Sequence, residues 1–100
     1  MQIEFRTKKL QKQYEVSQQA FRAYGQEAGK RYIQRISIIK QTRTFEKLKI
    51  LHGLNCHPLK GDKKGKWSIS LTGFYRLIFT ISNDKIEVVR IEEVSKHYDD

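Results

Sequence analysis

The chain has 100 residues, 20 of them lysine or arginine and 11 aspartate or glutamate, which gives a formal charge of +9 at pH 7. This length allows one domain with one modest core, and we expect residues 1–100 to form it. The charge favours a polyanionic partner: nucleic acid first, an anionic membrane second and an acidic protein third. The regularly spaced aromatic residues exclude a disordered chain.

The sequence also lacks the features of an exported or membrane-spanning protein. Its longest apolar runs, such as ISII and LIF, are far shorter than the roughly 20 residues needed to cross a bilayer. The N-terminal segment MQIEFRTKKL has no apolar stretch of the kind found in signal peptides. Cys56 is the only cysteine, and its place next to His57 in a predicted strand sends the two side chains to opposite faces. We therefore expect a cytoplasmic protein with no disulfide, no membrane partner and no thiol nucleophile.

A helical pattern follows a short predicted strand, QIEFR, at the N-terminus. Apolar residues recur at intervals of four along residues 20–36, as one face of a helix requires. Thr7 is placed to cap the first helix, whereas Gly25 and Gly29 are poor helix residues. The pattern allows two helices broken near 15–26, or one helix packed closely at its glycines, and we favour two.

The second half of the chain changes to a period of two, which predicts strands. A short helical turn beginning at Thr44 comes first, and alternating runs follow over 67–72, 75–82 and 86–91. The connections between these runs are short, as in an antiparallel meander. We therefore predict an α+β fold, with the N-terminal strand and helices packed on one face of a small antiparallel β-sheet.

The alternation also assigns residues of the predicted sheet to its two faces. If Trp67, Leu77 and Phe79 turn toward the helices, then Ser68 and Arg76 turn toward the opposite side, here called the outer face. Trp67 is thus expected in the core, and stacking on a base is the lesser alternative. An arginine on the outer face is not needed by the core, so a function explains Arg76 better than the scaffold does.

The most distinctive pattern covers residues 57–79, HPLKGDKKGKWSISLTGFYRLIF, together with KHYDD at the end of the chain. In order and spacing, HPLKG, GKWS and YRLIF resemble the HigB-like toxins of the RelE/ParE superfamily, the toxin halves of bacterial toxin–antitoxin pairs. The order of elements along the chain is similar to the RelE-like fold. The resemblance implies a ribosome-dependent mRNA endonuclease that enters the ribosomal A site, cuts the bound codon, and uses no metal or cofactor.

The resemblance also implies roles for single residues in a reaction in which the ribose 2′-OH attacks the adjacent phosphate. His57 would be the base, and Lys60 and Arg76 would hold the phosphate. His97 would protonate the leaving group and Tyr98 would orient the base or the phosphate, as in the C-terminal His-Tyr of the YoeB branch. Many HigB-like chains end with these two types in the reverse order, so the choice of acid between His97 and Tyr98 stays open.

The lysines between the His-Pro pair and the tryptophan form a second predicted set. Lys63, Lys64 and Lys66 are expected to make general contacts to RNA phosphates. Ser68, on the same stretch, is expected to contact RNA as well. The alternative is that the lysines only keep an exposed hairpin soluble, as charged tips commonly do.

Other site residues also have structural alternatives. Arg76 could pair with Glu87 or Asp84 near a neighbouring strand instead of binding phosphate, although we favour the phosphate role. His97 and Tyr98 could simply be a frayed terminus, since last residues often are.

His57 and Lys60 set a geometric condition on the proposed site. They are three residues apart, so a regular strand would turn them to opposite faces. They can meet at one phosphate only if Pro58 ends the preceding segment or a bulge intervenes. Otherwise His57 is a polar strand residue that enters the turn.

The partners implied by the resemblance are a HigA-like helix-turn-helix antitoxin, the ribosome with its A-site mRNA, and operator DNA reached through the antitoxin complex. One rival function is that of a ParE-like protein, which inhibits DNA gyrase on the same scaffold. Such proteins generally lack the set of base, lysine, arginine and His-Tyr present here. Another rival is a basic RNA- or ribosome-binding module without chemistry, in which binding falls steeply with salt and replacing His57 or His97 changes nothing.

Overall fold

The computed structural model describes residues 1–96 of the chain. Its elements, in chain order, are β1 (Gln2–Phe5), α1 (Lys8–Glu15), α2 (Ser17–Gln41), α3 (Phe45–Lys49), β2 (His57–Pro58), a 3₁₀ turn (Gly61–Lys63), β3 (Trp67–Ser70), β4 (Tyr75–Ser82) and β5 (Val88–Lys96). A helical half precedes a strand half, which confirms the predicted α+β class. None of the helices within residues 1–96 is both long enough and apolar enough to cross a bilayer.

Within residues 1–96, five strands form one mixed sheet in the order β1-β5-β4-β3-β2. The strands from β2 to β5 are antiparallel neighbours in chain order, as predicted for a meander. The N-terminal strand differs, because β1 pairs in parallel with β5, with Gln2 opposite Val88. A parallel pair requires a long crossover, and most of the chain lies between these two strands. The sheet is therefore antiparallel except at the edge that β1 occupies.

Two interruptions divide the helical segment. Val16 is extended between α1 and α2, and Gly25, with φ 84° and ψ 169°, leaves helical geometry inside α2. A Cβ on Gly29 would lie only 2.9 Å from the backbone carbon of Ala20, so Gly29 permits close packing of the turns on the two sides of the kink. The sequence allowed either a broken helix or close packing at the glycines, and each occurs at one of them. Gly25 breaks the helix, and Gly29 allows close packing.

Threonine side chains cap α1 and α3. Thr7 Oγ1 accepts a hydrogen bond from the backbone N–H of Leu10 at 3.2 Å, as predicted. Thr44 Oγ1 accepts one from the backbone N–H of Lys47, also at 3.2 Å. Each such cap typically contributes about 1 kcal/mol, so both helices begin where the sequence provides a cap.

The core lies between the helices and one face of the sheet. Leu77 and Phe79 are fully buried there, together with Ile69 and Leu71, which confirms the assignment of faces. Trp67 is partly buried and packs against this core, with its ring centroid 4.7 Å from that of Phe45, so it faces the helices as predicted. The helices thus occupy one side of the sheet, and the loop over residues 59–66 lies on the outer face.

Candidate active site

Residues from neighbouring strands form two rows across the outer face. The first row, in order of pairing, is His57, Ser68, Ile78 and Glu93. The second row is Ser70, Arg76 and Ser95. Directly paired residues share a face, and Arg76 stands two residues before Ile78 on β4, so both rows point the same way. The predicted base and the predicted phosphate-binding arginine are therefore on one face.

The loop after β2 brings Lys60 to the same side as His57. β2 consists of two residues and ends at Pro58, and Gly61, with φ 68°, begins the 3₁₀ turn. Because the strand ends at Pro58, the alternation of faces no longer applies at Lys60. His57 and Lys60 line one pocket, so the geometric condition set by their spacing is met.

This pocket, named the outer-face pocket, is formed by β2, the loop and β4. Its lining residues are His57, Pro58, Leu59, Lys60, Asp62, Lys63 and Arg76. Among these residues, three cationic side chains stand against a single carboxylate, that of Asp62. Guanidinium and ammonium groups are the usual ligands of phosphate oxygens in proteins. The pocket therefore suits a phosphate group beside an imidazole.

An ion pair joins the loop to the far strand of the first row. Lys63 Nζ lies 3.6 Å from Glu93 Oε2. Since Lys63 follows β2 and Glu93 lies on β5, the contact reaches across β3 and β4. Ser68 and Ile78, the two members of the row between them, are 1% and 0% exposed. The loop thus folds back over the outer face and covers the middle of the row.

A β-bulge determines where Glu93 points. Glu93 pairs with Ile78, but the next pair on β4 is Phe79 with Ile91, so Glu92 is an extra residue on β5. Glu92 also faces outward, where its carboxylate accepts a hydrogen bond from a β4 hydroxyl at 2.8 Å. Two successive carboxylates therefore lie on one face of the sheet.

The other residues predicted to contact RNA lie outside the pocket. Lys64 is exposed at the end of the 3₁₀ turn, and Lys66 is half-buried just before β3. Ser68 is nearly inaccessible because the loop covers it, so a direct RNA contact by its hydroxyl does not fit this arrangement. Of the predicted loop residues, Lys60 and Lys63 are the two that the fold brings to the pocket.

The segment before β2 contacts the imidazole of His57 through a backbone carbonyl. Nδ1 of His57 lies 2.9 Å from the backbone carbonyl oxygen of Asn55. Cys56, between these residues, packs against the core instead, and burial raises the pKa of its thiol to about 11. The thiol is protonated at neutral pH, in agreement with the expectation that Cys56 is not a nucleophile.

Arg76 lies far from both carboxylates named as its alternative partners. The side chain of Glu87 accepts a hydrogen bond from the backbone N–H of Phe45 at 3.0 Å, so it contacts the first residue of α3. Arg76 is near the start of β4, whereas Asp84 and Glu87 follow its end at Ser82. At roughly 3.3 Å per residue, the two ends of this stretch are about 20 Å apart. This separation favours the phosphate role over a pair with either carboxylate.

Asp62 and Glu93 are residues near the pocket that sequence reasoning missed. Asp62 stands within the lysine-rich loop, so its proximity could have been inferred from the sequence. Glu93 joins the first row only through the bulge, and no sequence pattern marks that bulge. Within residues 1–96, no group of three or more His, Cys, Asp or Glu side chains is arranged to hold a metal ion.

The predicted C-terminal site residues, His97 and Tyr98, lie outside the residues that the structure describes. Ser95, near the end of the described chain, pairs with Arg76. The backbone therefore reaches the strand of Arg76 two positions before His97 in the sequence.

Comparisons with known proteins agree with this fold. The family model described as the RelE-like toxin of the type II toxin–antitoxin system HigB matches residues 3–93. No curated protein matches the sequence. The structure of the YoeB/ParE toxin from Agrobacterium tumefaciens has a TM-score of 0.64 and 20% identity, and the match covers 98% of this chain and 100% of that one.

Two further solved structures are similar. YafQ from E. coli strain BL21(DE3) has a TM-score of 0.57 and 22% identity, with 95% of this chain and 91% of that chain covered. The YoeB-YefM complex from Staphylococcus aureus has a TM-score of 0.61 and 16% identity, with 98% of each chain covered. At these identities the likeness shows the fold, which is the RelE-like fold that the sequence predicts.

Proposed function

Because this chain belongs to the HigB-like family of RelE-like toxins of type II toxin–antitoxin systems, we propose that it is a ribosome-dependent mRNA endoribonuclease. It would cut codons in the ribosomal A site and so inhibit translation. The observation that carries the proposal is that His57, Lys60 and Arg76 line one pocket on the outer face. RNA cleavage by its own 2′-OH uses a base and cations of this kind, together with an acid for the leaving oxygen.

The proposed reaction is an internal transesterification. His57 takes the proton of the ribose 2′-OH, and that oxygen attacks the adjacent phosphorus. The bond from phosphorus to the 5′ oxygen breaks, and the leaving oxygen receives a proton from a general acid. The products are a 2′,3′-cyclic phosphate and a 5′-OH end. The nucleophile belongs to the substrate, so the reaction needs no activated water, and we propose no metal or cofactor for it.

Arg76 and Lys60 would stabilise the negative charge that develops on the phosphate oxygens. The guanidinium can bind two of these oxygens in one plane, and the lysine supplies a point charge beside them. A preorganised group of this kind typically contributes about 10²–10³ in rate. Lys63, already paired with Glu93, is proposed to contact a flanking phosphate, as are Lys64 and Lys66 on the loop.

His97 and Tyr98 are proposed as the acid and the orienting group at the leaving oxygen. The support is the position of Ser95, which pairs with Arg76 just before these residues in the sequence. A chain that passes Arg76 at this point is well placed to supply groups to the same phosphate.

The proposed dependence on the ribosome is supported by the small size and the strong positive charge of the chain. The outer-face pocket is small, since a short loop and two strands form it. An A-site codon is single-stranded and already positioned, so the ribosome would supply the orientation that the toxin lacks. The net charge of +9 attracts the chain to ribosomal RNA and mRNA.

The proposed regulatory partner is a HigA-like helix-turn-helix antitoxin. One similar solved structure is that of a YoeB-YefM complex, which supports an assembly with an antitoxin, and the HigA-like type is our proposal. The antitoxin complex would also bring the toxin to operator DNA. We expect all of these partners to be met in the cytoplasm.

The test is inducible expression in bacteria, followed by primer extension on a translated message. The wild type is expected to arrest growth and produce in-frame cuts, whereas the His57→Ala, His97→Ala double variant does neither. His52→Ala, at an exposed histidine outside the pocket, is the matched control and should act like the wild type. Growth arrest with intact transcripts and lost DNA supercoiling would indicate the ParE-like alternative. RNA binding without any cuts would indicate the binding module.

A further inference from the structure

Asn55 contacts the candidate base directly, although no role has yet been assigned to it. Its backbone carbonyl oxygen lies 2.9 Å from Nδ1 of His57. A carbonyl oxygen can only accept a hydrogen bond, so this contact requires a proton on Nδ1. In a neutral imidazole the other nitrogen, Nε2, then holds the free electron pair.

The backbone conformation of Asn55 places the carbonyl at this position. Its φ is 50°, and within residues 1–96 it is the only residue other than glycine with a positive φ. Asparagine adopts this left-handed conformation more readily than most residues, because its short side chain can form local hydrogen bonds. Here its Nδ2 donates to Ser70 Oγ at 3.4 Å, and the carbonyl of Leu54 accepts from the backbone N–H of Ser70 at 2.9 Å.

Ser70 also connects this segment to the phosphate-binding arginine. It is the cross-strand partner of Arg76 in the second row of the outer face. The imidazole and the guanidinium are therefore both positioned relative to one residue of β3, the first through Asn55 and the second through strand pairing. A change in the backbone of Asn55 would move His57 with respect to Arg76.

We propose that Asn55 is a positioning residue that fixes His57 in the Nδ1-protonated tautomer, so that Nε2 accepts the proton of the 2′-OH. Since Nδ1 is turned back toward its own chain, Nε2 is the nitrogen left to face the pocket that His57 lines. The catalytic consequence rests on the proposed function, whereas the tautomer is a property of the free protein.

The first experiment is a long-range ¹H–¹⁵N NMR spectrum of the histidine rings in the free protein. The chain has three histidines, and the signals of His57 are identified by their loss in His57→Gln. At a pH where the ring is neutral, the expected result is a protonated Nδ1 and a bare Nε2. A protonated Nε2 with a bare Nδ1 overturns the proposal. The expected tautomer in a protein that does not cut RNA would support the role of Asn55 and contradict only the proposed function.

The second experiment compares two substitutions of Asn55 in ribosome-dependent cutting. Asn55→Val introduces a β-branched residue that resists positive φ, whereas Asn55→Gly accepts it freely. Asn55→Val is expected to lose the tautomer preference and lower kcat by about 10-fold to 100-fold, with KM little changed, as for other residues that orient a functional histidine. Asn55→Gly should keep both the tautomer and most of the rate.

The matched control is Asn83→Val, the same substitution at an exposed loop asparagine, which should match the wild type. An Asn55→Val variant with unchanged kcat and unchanged tautomer would overturn the proposal. The wild-type spectrum remains decisive if Asn55→Val does not fold.

Discussion

Replacing Glu93 with glutamine would remove the carboxylate that lies 3.6 Å from Lys63 Nζ. Glutamine has nearly the same shape, so the change is essentially one unit of charge. The two side chains are 32% and 38% exposed, and an ion pair this accessible to solvent and salt is expected to contribute less than about 1 kcal/mol. For a domain of this size, the melting temperature should fall by no more than about 8 °C.

The larger effect of Glu93→Gln is expected on RNA binding. Lys63, released from its carboxylate, becomes an additional cation at the surface proposed to contact RNA. Each phosphate neutralised on a single strand adds about 0.7 to the slope of log K against log salt concentration, so the slope should steepen by about this amount. Fluorescence anisotropy of a short single-stranded RNA, titrated at several NaCl concentrations, measures the slope.

Glu46→Gln is the matched control for this experiment. It breaks an exposed pair with Lys49, at 2.9 Å, and adds the same charge on α3, on the other side of the sheet. Its slope should stay close to that of the wild type. An unchanged slope for Glu93→Gln, or equal steepening in both variants, would refute the inference that Glu93 masks a cation of the RNA-binding surface.

The remaining predictions concern stability, rate and thiol chemistry. Gly29→Ala should destabilise the fold by about 1–3 kcal/mol because its Cβ would lie 2.9 Å from the Ala20 backbone. Gly73→Ala, with no described atom within 4 Å of the new Cβ, should change stability by less than about 1 kcal/mol, and chemical denaturation compares the two. Arg76→Ala should slow cutting by roughly 10²–10³, and a wild-type rate in primer extension would remove it from the mechanism. With a thiol pKa of about 11, Cys56 should be on the order of 0.1% thiolate near pH 8. Its alkylation should therefore accelerate about tenfold per pH unit toward pH 10. Rapid alkylation near pH 8 would contradict the burial of the thiol.

The fold class and the faces of the sheet could be predicted because two different periods follow one another in the chain. Leu77 and Phe79 alternate with Arg76 and Ile78, and only one of the two sets can face the helices. The end of β2 at Pro58 also follows from chemistry that the sequence displays, since proline lacks the N–H of a strand residue. These features are local, so the sequence contains them.

Other features depend on contacts between distant segments and could not be predicted. Alternation indicates which face Ser68 occupies but not what covers that face, so its burial beneath the loop was missed. The outward direction of Glu93 depends on one extra residue in β5, and the residues around Glu92 do not mark that bulge. The parallel pairing of β1 was also outside the reach of periodicity, because a strand pattern does not specify its neighbour.

The pairing of β1 with β5 has a consequence for synthesis. In the described sheet, the strand that emerges first has as its only neighbour the strand that emerges last. A domain generally folds as a unit, and contacts between distant segments must first overcome the entropy of closing a long loop. Arg76 likewise acquires Ser95 beside it only when β5 has been made. A chain in which β5 has not yet been made therefore lacks both the neighbour of β1 and the residue that pairs with Arg76.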